Sequence, residues 1–426
     1  MLKVLIVSYY WPPSGGGGVQ RWVKMSKYFK EFGWDPIVFI PENPEYPIVD
    51  RSFDDEVKDI PVIKGKIWEP SRFLRKMGAG KEANLSSGFV SDKPSLGQKL
   101  AIAIRGNFFI PDARKFWIKP SVKTLSTYLD SHKVDVIIST GPPHSAHLIA
   151  FKLKEKFKLP WIADFRDPWT NIDFYKDLKL RAWADAKHRR LEKAVLNSAD
   201  VVVTIGKTMG SEMKTLGAKT TEVITNGFDL QINCQKLDQQ FTITHMGRLG
   251  KSRNPELLWK VLAELTQEND EFAKCCKIQL IGNVDGEIKI SVIKNGVTEY
   301  VDFGNSVSNQ ESLNVQSRSQ MLLLLINDTP NSKGILTGKF FEYISVKRPI
   351  IAIGPLDGDA AEILTKTASG QMFSYTQHKQ LKKHLLGSFE KFKENRLEIN
   401  STGIEEYSRK NLAKKYTELL NTLVSE

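Results

Sequence analysis

The residues able to do chemistry gather in four short stretches, each just beyond an apolar run. Residues 8–22 read SYYWPPSGGGGVQRW, with Gly15, Gly16, Gly17 and Gly18 in an unbroken row ahead of a helical pattern. Residues 160–170 read PWIADFRDPWT and bring Asp164, Arg166 and Asp167 within four positions. Residues 244–258 read THMGRLGKSRNPELL and set Arg248 and Arg253 around Gly247 and Gly250. Residues 336–355 read LTGKFFEYISVKRPIIAIGP, where Gly338 and Lys339 open a short helical pattern and Glu342 stands between Phe341 and Tyr343.

Each stretch has a chemical reading and a structural one. A glycine-rich connection that ends at a helix N-terminus presents backbone N–H groups beside a positive dipole end, which suits a diphosphate; a slack link is the alternative. The spacing is not that of a dinucleotide fingerprint, and the end of the second strand offers only Glu42 as an acid. Two guanidiniums near a helix start form a clamp for a diphosphate whose charge grows as a bond breaks, or else a pair of surface arginines. A carboxylate between aromatics needs a hydroxyl or cationic partner, which a ribose or a salt bridge to Lys339 or Arg348 would supply. Asp164, Arg166 and Asp167 make either a site or a self-paired knot; alternation along an extended segment puts Asp164 and Arg166 on one side and Asp167 on the other.

The elements that must hold these loops form two series. Strand-like runs at 3–8, 37–40, 134–139, 161–165, 201–205 and 222–225 alternate with amphipathic segments at 19–32, 120–132, 144–156 and 177–197. The pattern restarts at Phe241, with strands at 241–246, 277–281, 299–303, 320–326, 349–353 and 371–375, helices at 255–268, 310–318, 339–346 and 360–365, and a long helix over 404–424. Continuous apolar runs such as KVLIV predict strands buried on both faces, hence parallel sheets covered by helices. Two doubly wound α/β domains follow, joined by the polar segment 229–240, with ligand crevices beyond the carboxyl ends of the strands. The Gly, Ser and Lys stretch 78–95 reads as an excursion from the first domain.

Composition narrows the function. The chain of 426 residues has no apolar run of membrane-spanning length, and its N-terminus lacks a signal-peptide pattern, which predicts a cytoplasmic protein. Its three cysteines form neither a disulfide framework nor a CxxC site, and His144 and His147 have no third ligand in sequence, so no metal is expected. The net charge of +12 is concentrated at the front, where residues 1–200 hold 33 lysines and arginines against 23 acids and eight of the nine tryptophans. That half suits an anionic lipid surface, or nucleic acid, or simply a basic face over a tryptophan-rich core. No nucleic-acid-binding module is visible, so no such partner is expected.

Together with EVITNGFD (222–229), LIGNVDG (280–286) and EYVDFGNSVSNQESL (299–313), the four stretches occur in the order and spacing of retaining glycosyltransferases of family 4, which the chain resembles over nearly its whole length. The resemblance implies the GT-B fold: two Rossmann-like domains, 1–230 and 231–403, facing a central cleft, with the C-terminal helix 404–426 returning to the first. It implies that Arg248 and Arg253 hold the diphosphate of a nucleotide-sugar donor, that Glu342 binds the ribose, and that Gly15–Gly18, Gly247, Gly282, Gly338 and Lys339 line the donor. Backbone around Val301 and Phe303 would border the base, and Asn226 with Gly227 would lie at the crevice. Two positions depart from the family: Gly334 replaces the first glutamate of its E-x7-E element, and Arg166 stands where a histidine usually contacts the sugar.

The implied reaction is transfer with retention at the anomeric carbon to a saccharide or lipid-linked acceptor in cell-surface polysaccharide or glycan assembly, without a metal, on or near the inner face of the plasma membrane. Arg248 and Arg253 would stabilise leaving-group charge, while Asp164 or Asp167 would orient hydroxyls and Arg166 would complete the site. A GT-B nucleotide-sugar epimerase and a non-catalytic nucleotide-sugar-binding member are the alternatives.

Overall fold

The computed structural model of the protein describes residues 1–46, 48–69, 96–229 and 235–425. The 78–95 excursion and Cys234 lie outside the described residues. The chain divides into two compact units, one formed by residues 1–225 with 409–426 and the other by 226–408.

The first unit is a seven-stranded sheet in the order β3-β2-β1-β4-β5-β6-β7, parallel throughout. Its strands are β1 (Leu2–Val7), β2 (Trp34–Glu42), β3 (Val62–Lys66), β4 (Val136–Gly141), β5 (Trp161–Phe165), β6 (Val201–Thr204) and β7 (Thr221–Val223). All six residues of β4 and all five of β5 are buried, as strands covered on both faces must be. The edge strand β3 and the helix Leu96–Phe108 are absent from the sequence reading. β3 is mostly exposed, so no apolar run marks it.

The helix Arg409–Ser425 closes this unit from the far end of the chain. It packs on the helix Gly17–Phe29, where Tyr416 meets Trp22 edge-on with ring centroids 5.4 Å apart. Where the sequence predicts one helix over 404–424, the structure has a short 3-10 turn at Ile404–Tyr407, counted with the second unit, and then this helix. Six of the eight tryptophans before residue 200 serve the core: Trp11, Trp22, Trp34, Trp117, Trp161 and Trp169 are all buried. Only Trp68 and Trp183 reach the surface among the described residues, so most of the tryptophan enrichment reports packing.

The second unit is a six-stranded parallel sheet in the order β10-β9-β8-β11-β12-β13. Its strands are β8 (Phe241–Met246), β9 (Cys276–Ile281), β10 (Val301–Gly304), β11 (Met321–Leu325), β12 (Ile350–Ile353) and β13 (Gly370–Phe373). Its core joins these strands to Trp259, Phe272 and Phe389 from the covering helices. In both sheets the strand order reverses beside the first strand of the unit, between β1 and β4 and between β8 and β11. Within each unit, loops leaving the carboxyl ends of its two strands at that point splay apart and open a crevice.

Candidate functional site

In the first unit the reversal point carries the glycine row. The loop after β1 is pinned rather than slack: Gly15 donates its N–H to Ile48 O at 2.9 Å, and Asp50 donates to Pro13 O at 2.9 Å. The four glycines then do different things. A Cβ on Gly15 would lie 2.8 Å from Ile48 Cγ2, Gly16 caps the Gly17–Phe29 helix with a φ of +100° that side chains disfavour, and Gly17 faces open space. Gly18 leaves room for Arg166, whose Nη1 would fall 1.8 Å from any Cβ there. Arg166, just past β5, donates to Pro142 O at 2.5 Å.

These loops enclose a cavity of about 420 Å³ lined by Gly15–Gly18, by Pro142 to His144 after β4, by Arg166 and Asp167 after β5, and by Arg105 and Arg114. Aromatic side chains of Tyr10, Phe109, Trp169 and Tyr175 complete the wall. His144 stacks on Trp169 with centroids 4.5 Å apart, and Trp169 in turn donates its indole N–H to His188 at 3.0 Å. Burial holds His144 neutral and pushes His147 down to about 3, so neither carries charge at neutral pH. Asp167 is exposed along the cavity wall, and desolvation raises its pKa against the pull of Arg166.

Asp164 is not brought to this cavity. Its carboxylate is fully buried and accepts from Arg21 Nη2 at 2.8 Å, Trp22 Nε1 at 3.0 Å and Thr140 Oγ1 at 2.9 Å. Arg21 also donates to the carbonyls of Thr225 and Ile224, at 2.6 and 2.9 Å. The expected role in orienting substrate hydroxyls is therefore corrected: Asp164 fastens the first helix to the sheet. The alternation expected along this segment fails too, because it ends at Phe165 with the strand, and Arg166 and Asp167 both face the cavity.

In the second unit the reversal point carries cations. Arg253 lies in the turn Lys251–Arg253 and donates Nε to Asn327 Oδ1, just past β11, at 2.9 Å. The helix Gly338–Ser345 locks onto the last residue of β8 from both sides. Lys339 Nζ donates to Met246 O at 2.6 Å, and Met246 N donates to Tyr343 Oη at 2.8 Å. Gly247 turns at a φ of +91°, where a Cβ would lie 3.1 Å from Lys339 Nζ. Gly282 keeps this turn possible, since its own Cβ would meet Gly247 O at 2.4 Å; its contact is with backbone.

Arg253, Lys339 and Glu342 thus gather around Gly247, with Arg248 exposed beside them. Burial lowers the Lys339 pKa to about 8; Arg253 adds to the shift and Glu342 opposes it. Glu342 is half-buried one turn beyond Lys339 and accepts from Gln316 Nε2 at 3.4 Å. Arg348, the other partner considered for it, gives its donors to the carbonyls of Ser319, Gln320 and Leu397. Gly338 opens the helix exposed, and Gly334 ends a short turn, Ser332–Gly334, before it.

The remaining expected residues stand apart from this cluster. Val301 is packed in the core at the start of β10, while Phe303 is exposed with Lys289 Nζ 5.3 Å above its ring. Asn226 and Gly227 begin the second unit. Among the described residues no three His, Cys, Asp or Glu side chains gather as a metal site would require, and no helix is long and apolar enough to cross a membrane.

Sequence reasoning missed Arg105, Arg114 and His144 as cavity residues. Arg105 and Arg114 flank the apolar stretch GNFFIPDA with no motif spacing, and His144 is weighed there only as a metal ligand.

Comparisons with known proteins bear on the fold. Residues 88–232 match the family described as Glycosyltransferase Family 4. No curated protein matches the sequence. Solved structures match end to end at low identity. Anabaena HepE in complex with UDP has a TM-score of 0.62 at 13% identity, covering 99% of this chain and 100% of its own. Sucrose-phosphate synthase from Thermosynechococcus elongatus has a TM-score of 0.63 at 13% identity, covering 100% of both. The lipopolysaccharide outer core galactosyltransferase WaaB has a TM-score of 0.60 at 13% identity, covering 99% of both. Residues 88–232 thus match the Glycosyltransferase Family 4 model, and over its whole length the chain has the GT-B fold seen in these glycosyltransferase structures.

Proposed function

We propose that the protein transfers a sugar from a nucleoside-diphosphate sugar to a saccharide or lipid-linked acceptor, with retention at the anomeric carbon. The observation that carries the reading is the convergence of Arg253 and Lys339 on the Gly247 turn, with Glu342 one helical turn further on. Two cations beside a bare backbone turn suit a diphosphate, and a carboxylate at that spacing suits the two vicinal hydroxyls of a ribose. HepE, similar over the full chain, is a UDP complex, which supports the same ligand class here.

In this reading Arg248, Arg253 and Lys339 stabilise the charge that accumulates on the departing diphosphate. The acceptor hydroxyl attacks from the face the diphosphate leaves, so positioning and electrostatics do most of the work. The first unit contributes Gly15–Gly18, Arg166 and Asp167 around its cavity. A peripheral position on an anionic membrane is supported by exposed Trp68 and Phe116 in edge contact at 4.6 Å, by exposed Phe108 against Trp183 at 5.7 Å, and by Lys115 among them.

The test is a panel of nucleoside diphosphates and their sugars read as a thermal shift. Ligand at 100 times its Kd adds about 2.7 kcal/mol of stability, so at least one member should raise Tm by several degrees, followed by release of the nucleoside diphosphate when an acceptor is supplied. No shift with any member refutes the donor assignment. Epimer formation from donor alone, or binding without release, moves the assignment to the epimerase or to the binding protein.

A further inference from the structure

The first-unit cavity holds more cationic donors than its own acids engage. Asp112 accepts from Ser145 N, Ser145 Oγ and Arg114 N, each at 2.8 Å, and Asp167 faces Arg166. Arg114 is held by buried Glu69, whose Oε1 lies 3.5 Å from its Nε, and its guanidinium sits 4.8 Å over the Tyr9 ring.

Arg105 is different. It projects from the helix Leu96–Phe108 to the cavity wall, is partly buried, and among the described residues makes no hydrogen bond or ion pair. Burial first, and then the neighbouring Arg114, lower its pKa, against the weaker opposing pull of Asp112 and Tyr10. A second cavity residue is also unsatisfied. His144 is 8% exposed, and its Nδ1 has no partner. The Nε of Arg166 is likewise buried without one. A partly desolvated guanidinium beside another cation is costly unless an anion completes it. The aromatic faces of Tyr10, Phe109 and Trp169 meanwhile suit the apolar faces of a sugar ring.

We infer that this cavity takes an acceptor saccharide bearing an anionic group, a phosphate or a carboxylate, and that Arg105 is the residue that selects for it. The inference rests on the transferase reading above, and it assigns the acceptor where that reading assigns the donor. His144, neutral and able to donate or accept at Nδ1, serves a hydroxyl of the same ligand.

The experiment titrates the full chain by calorimetry at low salt and pH 7.5 with glucose, glucuronate and glucose 6-phosphate, with and without UDP, for the wild type and Arg105→Gln. One of the two anions should bind at least tenfold more tightly than glucose, and which one does so separates a carboxylated from a phosphorylated acceptor. In Arg105→Gln that preference should shrink at least tenfold while UDP affinity and Tm hold. Arg105→Lys, which keeps the charge but not the fork, should retain part of the preference and serves as the readout if Arg105→Gln does not fold.

Equal binding of glucose and both anions overturns the inference. So does an anion preference untouched in Arg105→Gln, or a loss confined to UDP, which would give Arg105 to the donor. Absence of any nucleoside diphosphate binding or sugar transfer would instead refute the function proposed above, because the acceptor titrations need no turnover.

Discussion

Substituting Gly18 by Ala separates a linker from a shaped wall. An ideal Cβ there lies 1.8 Å from Arg166 Nη1 and 2.9 Å from its Cζ, against about 3.5–4.0 Å for an unstrained carbon contact. The backbone of a capped helix and a pinned loop cannot yield that much, so the guanidinium must swing away. It then loses its hydrogen bond to Pro142 O, a charge-assisted bond of about 1.5–3 kcal/mol. Alanine in place of glycine in a helix returns up to about 1 kcal/mol. The net loss is about 1–2 kcal/mol, a few degrees of Tm for a unit of this size. Turnover should fall far more, about 10- to 100-fold, if Arg166 positions substrate.

The decisive assay is a double-mutant cycle on Tm and on sugar transfer, with Gly18→Ala, Arg166→Ala and the pair. Once Arg166 is gone the added methyl has nothing to strike, so Gly18→Ala should cost nothing further, leaving a coupling of at least about 1 kcal/mol. Gly17→Ala, with no atom within 4 Å of its Cβ, should leave folding unchanged. Additive effects of Gly18→Ala and Arg166→Ala would refute the reasoning.

Four other outcomes follow from the same geometry. Asp164→Asn leaves Arg21 buried without its counter-charge and should destabilise by about 3–5 kcal/mol; a variant with wild-type Tm but no transfer would return Asp164 to the substrate. Lys339 should lose its charge as pH rises through about 8, so nucleoside diphosphate affinity should fall between pH 8 and about 9.5 in the wild type but not in Lys339→Arg. Because its folded pKa lies below the unfolded value of 10.5, the unfolded chain binds more protons in that window, and the stability of the ligand-free protein should rise with pH as affinity falls; parallel trends would contradict this. Arg248→Ala and Arg253→Ala should each lower turnover on the order of 10²-fold with Tm little changed, measured as release of nucleoside diphosphate. Trp68→Ala with Trp183→Ala should weaken sedimentation with anionic vesicles at low salt, and an unchanged bound fraction would argue against membrane contact.

What the sequence made legible follows from how strongly each feature is coded. Buried strands write themselves as apolar runs, so β5 and β8 fall at the expected residues, while the exposed edge strand β3 leaves no such trace. The reversal points are written by glycine: Gly16 and Gly247 need positive φ, and Gly18 and Gly282 need the absence of a side chain. The acid cluster after β5 is read correctly as charged but not for direction. Whether a carboxylate faces a cavity or the interior depends on Arg21, Trp22 and Thr140, which arrive from other elements. Arg105 and Arg114 are illegible for the same reason, since folding rather than spacing makes them neighbours. The tryptophans mislead because a ring that suits a lipid interface suits a core equally well.

The helix from Arg409 to Ser425 sets the order in which the protein can be finished. The apolar face of the Gly17–Phe29 helix, with Trp22 and Phe29, stays uncovered until Leu412, Tyr416 and Leu420 emerge. During synthesis the second unit is complete before the first has its last wall. Damage near residue 420 should therefore appear as a fault in the glycine loop some 400 positions earlier in the chain, which is where a shortened product would first become vulnerable to proteolysis.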